Sequence, residues 1–553
     1  MKRKNVRRAL LVLLALLLSL SLAACRGGEP PAPSEGKDPT PGTTTAPKPT
    51  DKPVEPPEKT KISYFSYWMA EIEPESHVEL LIEEALGDID IEVVKENHND
   101  EERVNLLLQA DSMPDCLWTG KNPRFMYYEH ELVRTIPRDL VEKYAPSFIK
   151  MYEADPVLWG LGLLKGSKDE FVALPGSSET YLKLYLECDL YRYDWIKEAG
   201  IDVGVDVTKM SDNMYITAGG ISTDKWKEIL TAYVAQDKIG AVSIQPKIMA
   251  GVFGAKYGES MEEDGKTIMY YTSKGYKEFL KYMADAYASG LLDKEILTQK
   301  RNEAWDKINS EKAGYFVSST NSINGWALDR PPLALMKSNP QVEFLMTPGL
   351  ADAQGNYGYP GFVSSQWGYF YVNADVQDED KLIKILRMQE YANFGETIAS
   401  HWYGEEGVDW EYNENGFPVT IGDRLAAGVK GTQCFCLFTQ VEDVWKWITY
   451  EPLFEKGASF YVESEGGLWN KYLQNPGRID PLQETNLQEV RRQYNEGLNS
   501  VVNTYYQDSI LGIHDIDATW DQYLAELDES GYQELLAELS KAPTYEELIA
   551  RFK

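Results

Sequence analysis

The residues of this chain best suited to hold a small polar ligand are Tyr67, Trp68, Trp118, Asn321, Trp326, Gln366, Trp367 and Trp402. Tyr and Trp carry flat rings with hydrogen-bonding rims, so they stack on an apolar face and still reach a polar edge. Pyranose rings have that character, with apolar faces and hydroxyl-rich edges. The rings are expected to stack on such faces while Asn321 and Gln366 bond hydroxyls. Composition agrees: Trp (14) and Tyr (35) far exceed Phe (17), although Phe alone could serve a core. A second chemistry belongs to Cys25, whose thiol follows Leu22-Ala23-Ala24 at the end of an apolar run.

Catalytic chemistry is poorly represented. The five histidines are scattered, and no HExxH, GxSxG or phosphate-cradling glycine loop occurs. A glycosidase needs two carboxylates, about 5–5.5 Å or about 6.5–9.5 Å apart according to stereochemistry. With 87 acidic residues such pairs arise by chance, Glu405 and Asp409 among them. No catalytic residue, cofactor or metal is therefore assigned, and the chain is read as a binding protein.

The elements that must position the rings follow from periodicity. Lys61–Phe65 reads as a strand. Val78, Leu81, Ile82, Ala85 and Leu86 share a helical face that Gly87 ends. Ile89, Ile91 and Val93 alternate as a second strand. Asn99 and Glu102 suit a capping box for a helix burying Val104, Leu107 and Leu108, and Pro114–Trp118 is a third strand. A β-α-β-α-β run of this length implies a parallel sheet with right-handed crossovers. Ligands of such sheets sit beyond the carboxyl ends of the strands, where Tyr67, Trp68 and Trp118 fall. Helices are expected over Thr223–Ala235, Lys274–Ser289, Asp378–Ala392 and from Leu487 onward. Strands are expected at Gly314–Ser318, with Thr320, Asn321 and Trp326 just beyond, and within Val363–Asn373.

The first sixty residues stand apart. Lys2, Arg3, Lys4, Arg7 and Arg8 precede the apolar run Ala9–Leu22, which is too short to span a bilayer comfortably and has the layout of a secretory signal. Leu22-Ala23-Ala24-Cys25 resembles the bacterial lipobox, in which cleavage falls before the cysteine and its thiol receives diacylglycerol. Acyl chains such as palmitate then hold the protein by about 0.8 kcal/mol per buried methylene. Residues 26–60 are rich in Pro, Thr, Lys and Glu, a composition that stays extended and unfolded. Residues 1–24 thus read as a signal peptide and 25–60 as a lipidated tether, placing the body on the extracellular face of the cell membrane.

Loss of the five basic leader residues takes the formal net charge from −32 to about −37. That argues against nucleic acid and against broad contact with anionic headgroups. Cys116, Cys188, Cys434 and Cys436 remain; a Cys116–Cys188 disulfide and buried free thiols both suit the spacing. About 490 residues follow the tether, enough for two or more domains.

Several segments resemble one family, the large extracellular solute-binding lipoproteins of bacterial carbohydrate ABC transporters. They are "LLLQADSMPDCLW" (106–118), "LYRYDWIKEAGI" (190–201), "YYTSKGYKEFLKYMADAYASGLLDKEILTQ" (270–299), "HWYGEEGVDWEYNENGFP" (401–418) and "WDQYLAELDESGY" (520–532). The resemblance implies an α/β fold of two lobes, a hinge, and an oligosaccharide held in the interlobe cleft. Lobe 1 is expected over 61–180 and 343–430, lobe 2 over 181–342 and 431–553. It implies a monomer that serves ABC permease subunits. Relatives often carry a calcium loop where this chain reads "AQDKIGAVSIQP", which lacks the D-x-D-x-[DN]-G ligand pattern, so no calcium is expected there. Arg192 with Asp194, and Asp515, Asp517 and Asp521, read as helix-start residues. The other readings are an oligopeptide-binding lipoprotein of similar length and a secreted glycosidase.

Overall fold

The computed structural model describes residues 58–66, 69, 72, 75–96, 113–119, 124–155, 157–177, 187–217, 219–255, 260–319, 330–352, 366–395, 398–414, 416, 418–421, 435–436 and 477–552. The body from Glu58 to Lys553 is one compact unit. Its main strands are β1 (Thr60–Phe65), β2 (Ile89–Val93), β3 (Cys116–Thr119), β4 (Leu174–Ser177), β5 (Glu187–Arg192), β6 (Val207–Lys209), β7 (Met214–Thr217), β8 (Ile239–Ala241), β9 (Ala313–Ser319), β10 (Phe344–Thr347) and β11 (Gln366–Val372).

They form two sheets, of order β2-β1-β3-β11-β4 and β8-β9-β5-β10-β7-β6. In the first, β1 runs parallel to β2 and β3, as the sequence pattern requires, with Ile62 opposite Ile91 and Tyr64 opposite Cys116. Strand β11 is antiparallel to β3 and β4, pairing Tyr369 with Thr119 and Gln366 with Ser177. In the second, β5 is antiparallel to both β9 and β10, while β10 is parallel to β7 and β8 to β9. Helix α1 (His77–Leu86) returns the chain from β1 to β2. Ser76 and Glu79 form a reciprocal capping box at its start, and Gly87, at φ +75°, closes it in a left-handed turn that favours glycine.

Helix α2 (Val157–Gly162) lies beneath the first sheet. The second sheet is flanked by α3 (Tyr193–Glu198), α4 (Thr223–Ala235), α5 (Lys274–Ala288) and α6 (Arg301–Asn309). Helix α7 (Glu379–Phe394) covers the first sheet, and α8 (Ile398–Tyr403) follows it. The tail supplies α9 (Leu487–Ile510), α10 (Ile516–Glu529), α11 (Tyr532–Leu539) and α12 (Tyr545–Phe552). Two large apolar clusters result: one spans the first sheet and the face of the second that carries Leu190, Met214, Phe316 and Phe344, and the other joins the opposite face of the second sheet, with Tyr191, Tyr315 and Leu345, to α5 and α9–α11. No helix among the described residues is long and apolar enough to cross a membrane.

Two expected boundaries move. Strand β10 follows residue 343 yet pairs with β5 and β7, so the return to the first sheet comes only with β11. Phe435 and Cys436, expected in lobe 2, pack into the first cluster, where Phe435 stacks on Tyr64 at 5.3 Å. In both cases pairing and packing partners distant in sequence decide the lobe. Cys116 and Cys188 are buried in different sheets and form no disulfide with each other. The expected capping box at Asn99 and Glu102 lies outside the described residues.

Candidate functional site: the polar ends of two sheets

Strand direction gathers particular residues at one end of each sheet. In the first, β1, β2, β3 and β4 all finish at the end where β11 begins. Ser66, Thr119, Ser177 and Gln366 stand there. In the second, β7, β8, β9 and β10 finish where β5 begins, which gathers Thr217, Ser318, Thr347 and Asp189. Two chain connections run from one sheet to the other at these ends: residues 178–186 leave β4 and enter β5, and the chain after Asp352 enters β11; a third passage lies between Cys436 and α9.

The chemistry of these ends is mostly uncharged hydrogen bonding. Ser66 is fully buried and its Oγ has no hydrogen-bond partner. A buried hydroxyl without a partner forfeits solvation that a ligand oxygen could restore. Gln366 Nε2 donates to the Gly368 carbonyl at 3.0 Å. Register shifts between Gln366 and Tyr369, with Gly368 at φ +74°, a bulge that re-aims the start of β11. On the second sheet, Thr217 Oγ1 donates to the Gly219 carbonyl at 2.8 Å, and Ser243 Oγ accepts from the Val317 amide at 2.9 Å. Asp189 is 6% exposed and accepts from the Tyr191 hydroxyl at 3.4 Å. Burial pushes the Tyr191 and Tyr315 hydroxyls well up, and the Asp189 carboxylate adds to it, so both phenols stay protonated donors.

The rings singled out in the sequence fare differently. Trp118 is 1% exposed; its Nε1 donates to Gln389 of α7 at 2.7 Å, and its ring packs on Phe148 and Phe370. It is a core residue rather than a ligand platform, because the helix layer covers the face it occupies. Trp402 on α8 is also 1% exposed within the same apolar cluster and presents no open face for stacking. Gln366 stands at the polar end, and Trp367 follows it on β11. Tyr67, Trp68, Asn321 and Trp326, like Cys25, lie outside the described residues. The buried polar residues Ser66, Thr217, Thr347 and Asp189 escaped sequence reading, since short polar side chains after apolar strands carry no signal of their own.

Other candidates resolve into scaffolding. Arg192 donates to Asp194 at 3.0 and 2.7 Å and to Glu311 at 3.1 Å, with its guanidinium 4.1 Å over the Trp195 ring. Asp515 caps α10 by accepting from the Asp517 and Ala518 amides. The Asp409 carboxylate accepts from the Glu405 amide at 2.9 Å, closing a loop.

No protein-family model and no curated protein matches the chain. Solved structures do. The S. pneumoniae ABC-transporter substrate-binding protein FusA, in complex with kestose, matches with a TM-score of 0.64 at 16% identity, over 89% of this chain and all (100%) of that one. The fold is that of a two-lobed solute-binding protein. A solute-binding protein associated with an HMO-binding ABC transporter, from Bifidobacterium longum infantis, matches with a TM-score of 0.63 at 14% identity, over 89% and 99% of the two chains. The alginate-binding protein AlgQ2 gives 0.62 at 17% identity, over 89% and 98%. The matched length reaches both sheets, so the shared feature is the α/β fold itself.

Proposed function

We propose that this chain is an extracellular solute-binding protein that captures an oligosaccharide between the polar ends of its two sheets and delivers it to the permease subunits of an ABC importer. The observation that carries this reading is the position of those ends. They lie where two connections run from sheet to sheet, so rotation about the connections would close one polar end on the other around a ligand. A closed, ligand-filled form differs in surface from the open one, which is what a permease needs to discriminate. Gln366 and Ser66 would bond ligand hydroxyls. Tyr67, Trp68, Asn321, Trp326 and Trp367 retain their assignment to the ligand, whereas Trp118 and Trp402 support the core.

The proteins of like fold named above are described as binding proteins, one of alginate and one in complex with kestose. A catalytic role has less support, since Asp409, half of the carboxylate pair considered, holds a loop. Cys25 would carry the lipid anchor and the Pro- and Thr-rich segment after it, read above as reaching residue 60, the spacer that keeps the acidic body off the membrane. The body is read as monomeric.

A thermal-shift screen of the body from Glu58 onward, against oligosaccharide pools and a peptide pool, tests the reading. A ligand at a hundred times its Kd adds about 2.7 kcal/mol and raises the Tm visibly. The expected result is a shift with a sugar pool and no sugar breakdown on incubation. A shift with peptides alone, or hydrolysis of the sugar, refutes it.

A further inference from the structure

We infer that Lys307 is a positioning residue for the ligand: its ammonium fixes the exit of β8 at the polar end of the second sheet. This inference rests on the sugar-binding reading above and adds to it a residue outside the ligand ends. Strand β8 lies at the edge of the sheet, paired with β9 through Ile239 opposite Ala313 and Ala241 opposite Tyr315. A ladder this short secures the end of a strand by few bonds. The chain over residues 291–299 supplies more. The Ala241 amide donates to the Leu291 carbonyl at 3.0 Å, and the Asp293 amide donates to the Ala241 carbonyl at 2.8 Å. Contact is closest at Gly240, where a Cβ would meet the Leu291 carbonyl oxygen at 2.2 Å, so the edge accepts this segment because residue 240 has no side chain. Just past β8, Gln299 Nε2 donates to the Val242 carbonyl at 2.5 Å, and the next residue, Ser243, accepts from the Val317 amide of β9 at 2.9 Å.

Lys307 holds that segment in place. It stands on α6, and its Nζ donates to Asp293 Oδ2 at 2.7 Å, Glu295 Oε2 at 2.6 Å and Gln299 Oε1 at 2.9 Å. The Lys307 side chain is 19% exposed and that of Asp293 7%, so solvent ions screen this pair weakly. Burial works against the ammonium, but its bonds to the Asp293 and Glu295 carboxylates outweigh burial and hold its pKa above the ordinary lysine range. Gln299 carries the effect to the ligand end. Its amide oxygen faces the ammonium, which leaves the amide nitrogen turned to the Val242 carbonyl. Without the ammonium, Asp293 and Glu295 repel each other and the Gln299 amide is free to rotate, so Val242 and Ser243 lose their outer support. A binding surface works when its groups are held to within about 0.5 Å by such supporting bonds. Lys307 thus acts on the ligand through Gln299, without touching it.

The test is titration of the body from Glu58 onward, well below its Tm, with neutral hexose and pentose oligosaccharide pools and with oligogalacturonate and oligoalginate pools. For the pool that the parent binds, Lys307→Met is expected to lose about tenfold in affinity, and Gln299→Leu about as much. The double variant should lose no more than either single one, because both act on Val242 by one route. Arg192→Ala, which loosens the opposite end of the same sheet, should lower stability without that loss of affinity. A folded Lys307→Met variant that binds within about twofold of the parent overturns the inference. So does a double variant whose loss is the product of the two single losses. Should Lys307→Met fail to fold, Gln299→Leu keeps the ion pairs and carries the test: a tenfold loss supports the inference and an unchanged affinity overturns it. Binding of no pool by the parent removes instead the reading on which it rests.

Discussion

At the residue scale, the polar groups with the most demanding geometry lie away from the proposed ligand ends. Arg192 is the last residue of β5, at the end of the second sheet opposite Asp189, and its side chain is 2% exposed. It ties α3, through Asp194, to Glu311 at the turn before β9. Arg192→Ala removes the bonds to Asp194 and Glu311 and opens space beside Trp195, so chemical denaturation should show a loss of about 2 kcal/mol. Ligand affinity of the folded variant should stay within about twofold of the parent, because distant, independent sites act additively. His401 gives a pH signature. It is fully buried, its Nδ1–H donates to the Ala392 carbonyl at 2.8 Å, and Nε2 has no partner. Burial pushes the imidazole down from 6.5 to about 4, against a smaller upward pull from the Ala392 carbonyl. Because the folded pKa lies below the unfolded one, this neutral histidine favours the folded state fully above about pH 6.5. That advantage is lost as pH falls through about 4, a change of roughly 3 kcal/mol. Melting curves of His401→Gln should therefore fall less steeply between those pH values than the parent's.

At the element scale, the last helix does something its neighbours do not. Helices α9, α10 and α11 pack with the second sheet. Helix α12 instead places Leu548, fully buried, with Val157 of α2 and Ile479, in a small cluster also touched by Leu161, Leu482 and Tyr545. The backbone locks this seam: Tyr545 donates to the Gly477 carbonyl at 2.9 Å and Ile479 to the Pro543 carbonyl at 3.0 Å. Arg478 adds a bond from its side chain to the Ala542 carbonyl and another from its amide to Ser260 Oγ. Leu548→Ala should cost about 3 kcal/mol, as a buried leucine truncation in a site too small to collapse freely. Limited proteolysis should then release the C-terminal helix before the body unfolds, since so small a satellite cluster opens locally at little cost.

At the scale of the whole molecule, the acidic body and the leader make one physical arrangement. A chain of formal charge −32 is repelled by anionic headgroups, and a Pro- and Thr-rich composition is one that would supply separation from them if the chain is anchored. If Cys25 carries the anchor, Cys25→Ala should move the protein from the membrane fraction to the medium without changing ligand affinity or Tm. Fractionation with metabolic fatty-acid labelling checks this: retention in the membrane with no label in either protein would remove the lipid from the account.

Local patterns alone were enough to read α1 with its glycine stop, the parallel β1–β3 unit, α4 from Thr223 to Ala235, and the Arg192 and Asp515 helix starts. Each depends on neighbours within a few turns of chain: apolar period, cap chemistry, a residue able to take positive φ. The common direction of β1, β2 and β3 was legible as well, because it follows from the β-α-β order. That order could not decide which face of the sheet a ring takes. Trp118 turned into the helix layer because Gln389 and Phe148, far along the chain, were there to receive it. The lobe of residues 344–347, the place of Phe435, the seating of α12 and the buried carboxylate of Asp189 were likewise decided only in tertiary structure. All four depend on contacts between residues remote in sequence, which periodicity does not encode.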